Sequence, residues 1–326
     1  MSRSSGAVRA PLVIGGHEVL PGNRSRVELP VARFVTGEWL SLAVEAVHGA
    51  AEGPTVWLSG AIHGDELDGV EIVREVLAGL DPGEMAGTVL GVPVVNVFGF
   101  VAESRYLPDR RDLNRSFPGR PDGSMAARLA HLFMSEVVER CSLGLDFHCG
   151  SDDRENLPHI RANLEDAELR ALALAFGAPL ALHNRPPDGS LRKAAAAAGA
   201  RTLVYEAGEA GRFTASAIEA GVAGTRRVLR RVGVTRSAPR ARARTVVAVS
   251  SHWVRAPRSG ICHVEAPLGG RVERGGTVGR VHELLGEEGV RIRAGSAGVV
   301  IGRRVNPLVY QGEAVLHLAR PEEVGP

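Results

Sequence analysis

The sequence predicts an α/β fold, with a mixed, largely parallel sheet flanked by helices and a smaller all-β domain at the C-terminus. Three observations carry that reading. Between about residues 55 and 232, short β-branched apolar runs alternate with helical periodicities. The 326 residues exceed what one hydrophobic core usually organises. Composition then changes after Val234, where RSAPRARAR gives way to short strands separated by Gly-rich turns. The expected division is 1–235 for the α/β domain and 245–326 for a β-sandwich or barrel-like domain.

TVWLSGA (55–61) reads as a buried strand, after which Leu67, Val70, Val73, Leu77 and Leu80 recur at three- and four-residue steps, the stripe of an amphipathic helix. TVLGVPVVNV (88–97) is the next strand, and Pro93 makes it an edge or bulged one. A helix over about 125–140 follows, with Ser124 as N-cap and Leu129, Leu132, Phe133 and Val137 facing inward. Then come a strand at 143–148, a helix near 164–176, a strand near 180–183 and an alanine-rich helix around 191–198. The strand TLVYE (202–206) and a helix from 214 to about 231 complete the unit. The stretch from Phe98 to Gly119 is rich in Arg, Asp, Pro and Gly and has no periodicity, so a functional loop is expected there. Beyond 245, the turns PLGG, ERGG, LGEEG and AGSAG separate strands in what reads as a loose pseudo-repeat.

Apolar residues make up 44% and charged residues 23% of the chain, the balance of a globular protein and not of a disordered one. No apolar run approaches the roughly 18 residues that span a bilayer. The N-terminal MSRSSGAVRAP has no apolar signal core, so a cytoplasmic protein without a membrane partner is expected. Cys141, Cys149 and Cys262 show no CxxC spacing, which argues against a disulfide framework and a cysteine zinc site. The net charge of +2 conceals an acid-free run of arginines from Arg226 to Arg258. No nucleic-acid motif or interleaved aromatic set accompanies it, so a solvated helix face and basic linker are expected, with no nucleic-acid partner. A homo-oligomer is left open.

In SGAIHGDELDG, His63 and Glu66 stand three residues apart where a strand hands over to a helix, a turn that can aim an imidazole and a carboxylate at one point. His148 in LDFHCGS and Glu206 in LVYEAGE each end an apolar strand next to a glycine. Each alone is ordinary. Together they fall at the carboxyl ends of strands, where open α/β sheets bind ligands. Two histidines and a glutamate make the three-ligand shell of catalytic zinc sites, including that of carboxypeptidase A. Zinc at such a site acidifies water and polarises the carbonyl under attack, and a separate carboxylate must carry the proton. Glu206 is the candidate. Arg105, Arg110, Arg111 and Arg115 in SRYLPDRRDLNRSFPG offer a cation for the developing oxyanion. The remaining histidines, among them His159 and His183, stand outside any ligand-spaced group and are expected in the core or at the surface.

HGDE, RDLNRSFPG, DFH and YEAG, in that order over about 55–210, resemble the succinylglutamate desuccinylase and aspartoacylase family, relatives of the carboxypeptidase A-type zinc peptidases. The resemblance implies a zinc carboxypeptidase-like fold, one Zn2+ held by His63, Glu66 and His148, and Glu206 as general base. It further implies that Arg105 stabilises the oxyanion, that Asn114 and Arg115 grip the substrate's carboxylate, and that Tyr310 matches a tyrosine sent toward the substrate by the C-terminal domain. The spacing from Arg105 to DLNR is longer than in the aspartoacylase pattern, which keeps Arg110 and Arg111 open for that role, and Glu209 is a rival base. The C-terminal module also resembles lipoyl and biotinyl carriers, but the one lysine, Lys193, lies outside it, which excludes such a modification there. The expected activity is removal of an acyl group from an N-acyl amino acid or similar small amine. A metallocarboxypeptidase acting on short peptides and an inactive metal-binding scaffold protein are the alternatives.

Overall fold

A computed structural model describes residues 9–151, 153–241, 243–285 and 289–322. Residues 1–8 of the polar N-terminal segment, Arg242 of the arginine run and residues 286–288 of the LGEEG turn lie outside the described residues.

A hairpin of β1 (Leu12–Ile14) and β2 (His17–Val19) leads into two long antiparallel strands, β3 (Asn23–Arg33) and β4 (Trp39–His48). Next come β5 (Ala51–Ser59), α1 (Asp68–Ala78), β6 (Ala86–Val92), α2 (Val97–Val101), α3 (Met125–Glu136) and β7 (Leu143–Gly150). They are followed by β8 (Arg154–Ala162), α4 (Ala167–Phe176), β9 (Leu180–His183), α5 (Leu191–Ala197), β10 (Arg201–Glu209) and α6 (Ala215–Arg231). The C-terminal strands are β11 (Val246–Arg255), β12 (Gly260–Val264), β13 (Arg271–Val272), β14 (Thr277–His282), β15 (Val290–Arg293), β16 (Gly298–Arg304), β17 (Leu308–Val309) and β18 (Ala314–Pro321).

One 12-stranded sheet runs in the order β13, β16, β18, β11, β9, β8, β10, β7, β5, β6, β4, β3. It is mixed, as expected, but it is not largely parallel, and that part of the expectation is corrected. β6, β5, β7 and β10 run parallel, as do β8, β9 and β11, but β8 lies antiparallel to β10 and both outer parts are antiparallel. The difference comes from strands the sequence reading passed over. β3 does alternate, burying Val27, Leu29 and Val31, whereas β8 (RENLPHIRA) buries Asn156 and His159 and so lacks an apolar signature. Pro93 needed no edge or bulge: β6 stops at Val92 and is interior, between β5 and β4.

Helices cover both faces. α1, α4 and α6 pack Ile72, Leu172 and Val228 against one side of the sheet. α3 and α5 set Leu129, Phe133 and Leu191 against the other. Full burial of each such side chain contributes about 1.5–3 kcal/mol. The Ser124 cap is present, its hydroxyl accepting from Ala127 N–H at 3.3 Å. The arginine run is partly inward-facing, since Arg227 donates through Nε to the Phe176 carbonyl at 2.8 Å.

Of the C-terminal strands, β11, β13, β16 and β18 are woven into the same sheet, while β15, β14, β12 and β17, in that order, form a separate four-stranded sheet. β11 pairs parallel with β9, and β16 pairs antiparallel with β8 through Gly302 opposite Asn156. Arg303 and Glu155 close this seam at 2.8 Å. The structure thus carries an α/β layer with a strand-rich C-terminal region. No helix among the described residues is long and apolar enough to cross a membrane.

Behind the seam, His159 is fully buried. Its Nδ1 is 2.7 Å from the Leu157 carbonyl, which places the ring proton there, and Nε2 accepts from Arg161 Nε at 3.3 Å. Burial, reinforced by the Arg161 charge, pushes this imidazole down to about 3. The unfolded chain therefore takes up a proton that the folded chain refuses once pH falls below about 6.5. The contribution is fully present above that value and is lost as pH falls toward the folded value. Comparing unfolding free energies of the wild type and His159→Gln by urea titration at pH 7 and pH 5, we expect the wild type to lose more stability on acidification. A difference between the two proteins that does not move with pH would contradict the neutral buried state.

Candidate metal centre and cleft

The first two donors are set by the turn after β5. Ala61 adopts φ +44°, and Glu66 N–H returns to the His63 carbonyl at 3.1 Å, so both side chains leave the same side of the turn. Gly64 between them lies beneath α2, where a Cβ would sit 1.9 Å from the Gly99 carbonyl carbon. Only glycine fits there, which gives the second letter of HGDE a steric reason. His148 arrives on β7, whose residues are all buried.

These three meet. His63 Nδ1 is 2.7 Å from Glu66 Oε1, and His148 Nδ1 is 2.8 Å from Glu66 Oε2. Their donor atoms all lie within 4.8 Å of one another, in a group that could hold a metal ion. The opposite nitrogen of each ring is held by another acid: His63 Nε2 by Asp112 at 3.2 Å and His148 Nε2 by Asp146 at 2.9 Å. Asp146 in turn accepts from Ser59 Oγ at 2.8 Å. An imidazole whose far nitrogen is fixed by a carboxylate is the usual arrangement of metal-binding histidines, because it orients the ring and raises its basicity. The residues present therefore fit a divalent cation.

The electrostatics agree. Burial opposes the charged form of both imidazoles, yet Glu66 with Asp112 raises His63, and Asp146 with Glu66 raises His148 well above the ordinary range. Burial likewise opposes the Glu66 carboxylate, and the two histidines hold it far below the usual carboxylate range. Such a buried acid requires cations around it.

The cleft over this group encloses about 220 Å³. Glu206 lines it from β10, its Oε2 accepting from Asn156 Nδ2 at 2.9 Å and its Oε1 lying 3.2 Å from Arg161 Nη1. Past Glu206 the pairing of β10 with β8 slips, and Gly208 takes φ +69° where a Cβ would meet Asp68 Oδ2 at 2.2 Å. This bulge is the physical content of the E-x-G pattern. Glu209 is outside the lining and pairs with Arg212.

Arg105 reaches the cleft from the loop after α2, with Nη1 3.4 Å from Glu66 Oε1 and Nη2 2.9 Å from Asp112 Oδ2. Arg110 and Arg111 are exposed and outside the lining. Asn114 and Arg115 both line the cleft; Asn114 Oδ1 accepts from Leu191 N–H at 2.9 Å, which leaves its amide nitrogen as the free end. Tyr310 is 75% exposed, outside the cleft lining, with its N–H donated to Glu313.

The sequence reading missed Asn156 and Arg161, which sit on the unforeseen β8, and also Arg192, Asn184 and Trp253. Arg192 is buried at the start of α5 and donates to the Asn184 and Arg185 carbonyl groups and to the Asn184 amide oxygen. Burial, with Arg161 adding to it, pushes Arg192 down to about 10. Asp146 and Asp112 were also passed over, although they stand within DFH and DLNR, the motifs the sequence singled out.

Residues 52–232 match the family described as the succinylglutamate desuccinylase/aspartoacylase catalytic domain, and the chain belongs to that family. It is similar to the N-alpha-acetyl-L-2,4-diaminobutyric acid deacetylase of Halomonas elongata, 29% identical over 286 residues that cover 83% of this chain and 84% of the relative. A succinylglutamate desuccinylase/aspartoacylase structure from Rhodobacter sphaeroides is similar with a TM-score of 0.83 at 26% identity, covering 92% of this chain and 96% of that one. The product-bound ectoine utilization protein EutE (DoeB) of Ruegeria pomeroyi is similar with a TM-score of 0.83 at 29% identity, covering 91% and 94%.

Replacing either orienting acid, by Asp112→Asn or Asp146→Asn, is expected to weaken divalent-metal affinity by about 10–100-fold. Competition against a chromophoric chelator reads this directly. Wild-type affinity in both variants would remove their orienting role.

Proposed function

We propose that this protein is a zinc-dependent hydrolase that removes the acyl group from an N-acyl amino acid or a similar small N-acylated amine. The observation that carries the reading is the convergence of His63, Glu66 and His148 in the same small cleft as Glu206. Zinc held by the first three would polarise the acyl carbonyl and acidify water.

Glu206 takes the proton of the attacking water as the new C–O bond forms and delivers it to the nitrogen as the C–N bond breaks, releasing a carboxylate and an amine. Asn156 and Arg161 fix the angle of its carboxylate. Arg105, forked between Glu66 and Asp112, offers its guanidinium to the developing oxyanion. Asn114 and Arg115 face the substrate's carboxylate. Arg192 joins them, as a buried cation hydrogen-bonded to neutral oxygens. Residues 1–235 would then carry the chemistry, while 245–326 shape the cleft.

The names of the similar proteins, a deacetylase and a desuccinylase/aspartoacylase, support this reading. A cleft of about 220 Å³ suits a small substrate better than the peptide of a carboxypeptidase. The test is metal analysis of the purified protein combined with a panel of acetyl, succinyl and formyl amino acids scored for amine release. A metal-loaded protein that releases no amine from any of them would overturn the reading.

Two substitutions test the roles. Glu206→Gln should keep the metal and lower kcat by at least about a hundredfold, the usual scale of general acid-base catalysis. Unchanged turnover would end the assignment of Glu206 as the base. Arg115→Ala should raise KM chiefly for substrates with a free carboxylate, and an equal effect on their carboxamide analogues would refute the grip.

A further inference from the structure

The side chains that line the cleft are mostly polar or charged. Its lining includes arginines, asparagines, acids and the two histidines, with Pro187 and Val204 as small apolar elements and Trp253 as the one large apolar face. Trp253 comes from β11. An open basin of about 560 Å³, lined also by Arg255, Gln311, Glu313 and their neighbours, borders the same residue. The residues common to the linings of cleft and basin are Arg154 and Trp253.

The indole is held in place. Trp253 and His317 stand directly opposite in the β11–β18 register, and their rings stack 4.1 Å apart at 10°. His317 is 4% exposed, so it is anchored in the protein interior. The Arg154 guanidinium carbon lies 5.2 Å from the Trp253 ring centroid. A cross-strand stack with a cation beside it makes a stiff wall.

We propose that Trp253 is a specificity-determining residue: it walls the reaction cleft off from the outer basin and so sets how long an apolar arm the substrate can carry. The polar groups of the cleft hold carboxylate and amide, which leaves the indole to receive the carbon chain. Removing the wall joins the two spaces, and an arm too long for the cleft then extends into the basin. This rests on the deacylase reading above.

The test uses two substrate series, N-acyl chains from acetyl to hexanoyl on one amino acid, and N-acetyl amino acids of increasing side-chain length. Both are run on the wild type, Trp253→Ala and Trp253→Phe with metal content measured in each. In the wild type kcat/KM falls with length in at least one series. In Trp253→Ala the long-to-short ratio rises by at least about tenfold, the scale on which a hydrophobic pocket discriminates methylenes, with Trp253→Phe in between. A ratio unchanged in metal-loaded Trp253→Ala across both series overturns the proposal. Indole fluorescence during titration with N-acetyl and N-hexanoyl amino acids separates this from failure of the hydrolase reading. A binding signal lost in Trp253→Phe supports the wall even if no amide is cut, and an identical signal, or none in the wild type, counts against it.

Discussion

The structure turns on the burial of one carboxylate. Glu66 is 2% exposed, and a charge so placed costs several kcal/mol unless cations and donors surround it. His63, His148, Arg105 and the Cys149 N–H all come within hydrogen-bonding reach. The loop that carries Arg105, the strand that carries His148 and the turn that carries His63 must therefore close around the same point for the chain to fold. A metal ion would add to a convergence that the protein's own electrostatics already favours.

Around that point the acids are divided by task. Asp112 and Asp146 face the outer nitrogens of the imidazoles, while Glu206 is turned to Asn156 and Arg161. Asp112 also receives Asn114 N–H at 2.8 Å and Arg105 Nη2 at 2.9 Å. His63, Arg105 and the loop that carries Asn114 are thus braced through a single side chain, so that displacing any one strains the other two.

The antiparallel insertion of β8 governs the second half of the site. It brings Asn156 and Arg161 beside Glu206 and offers a hydrogen-bonding edge to β16. With β11 added beyond β9, these two C-terminal strands are fixed to the α/β layer by backbone ladders instead of by loose side-chain contact. A wall residue such as Trp253 requires that rigidity, because a cleft of this size is altered by small shifts.

The sequence by itself determined the local chemistry. HGDE, DFH and YEAG marked His63, Glu66, His148 and Glu206, which the fold brings into one cleft, because each motif stands at a strand end beside a glycine that a Cβ would clash with, and such steric demands leave a local mark. The helices from 125 onward were legible for the same reason, since apolar periodicity is written residue by residue. Tertiary structure alone decided the rest. β8 lacks apolar alternation because two of its buried residues, Asn156 and His159, are polar and are satisfied by partners distant in the chain or by its own backbone. Arg192 and Trp253 enter the cleft from elements whose positions depend on sheet order, and sheet order is set by long-range pairing that no short stretch of sequence encodes.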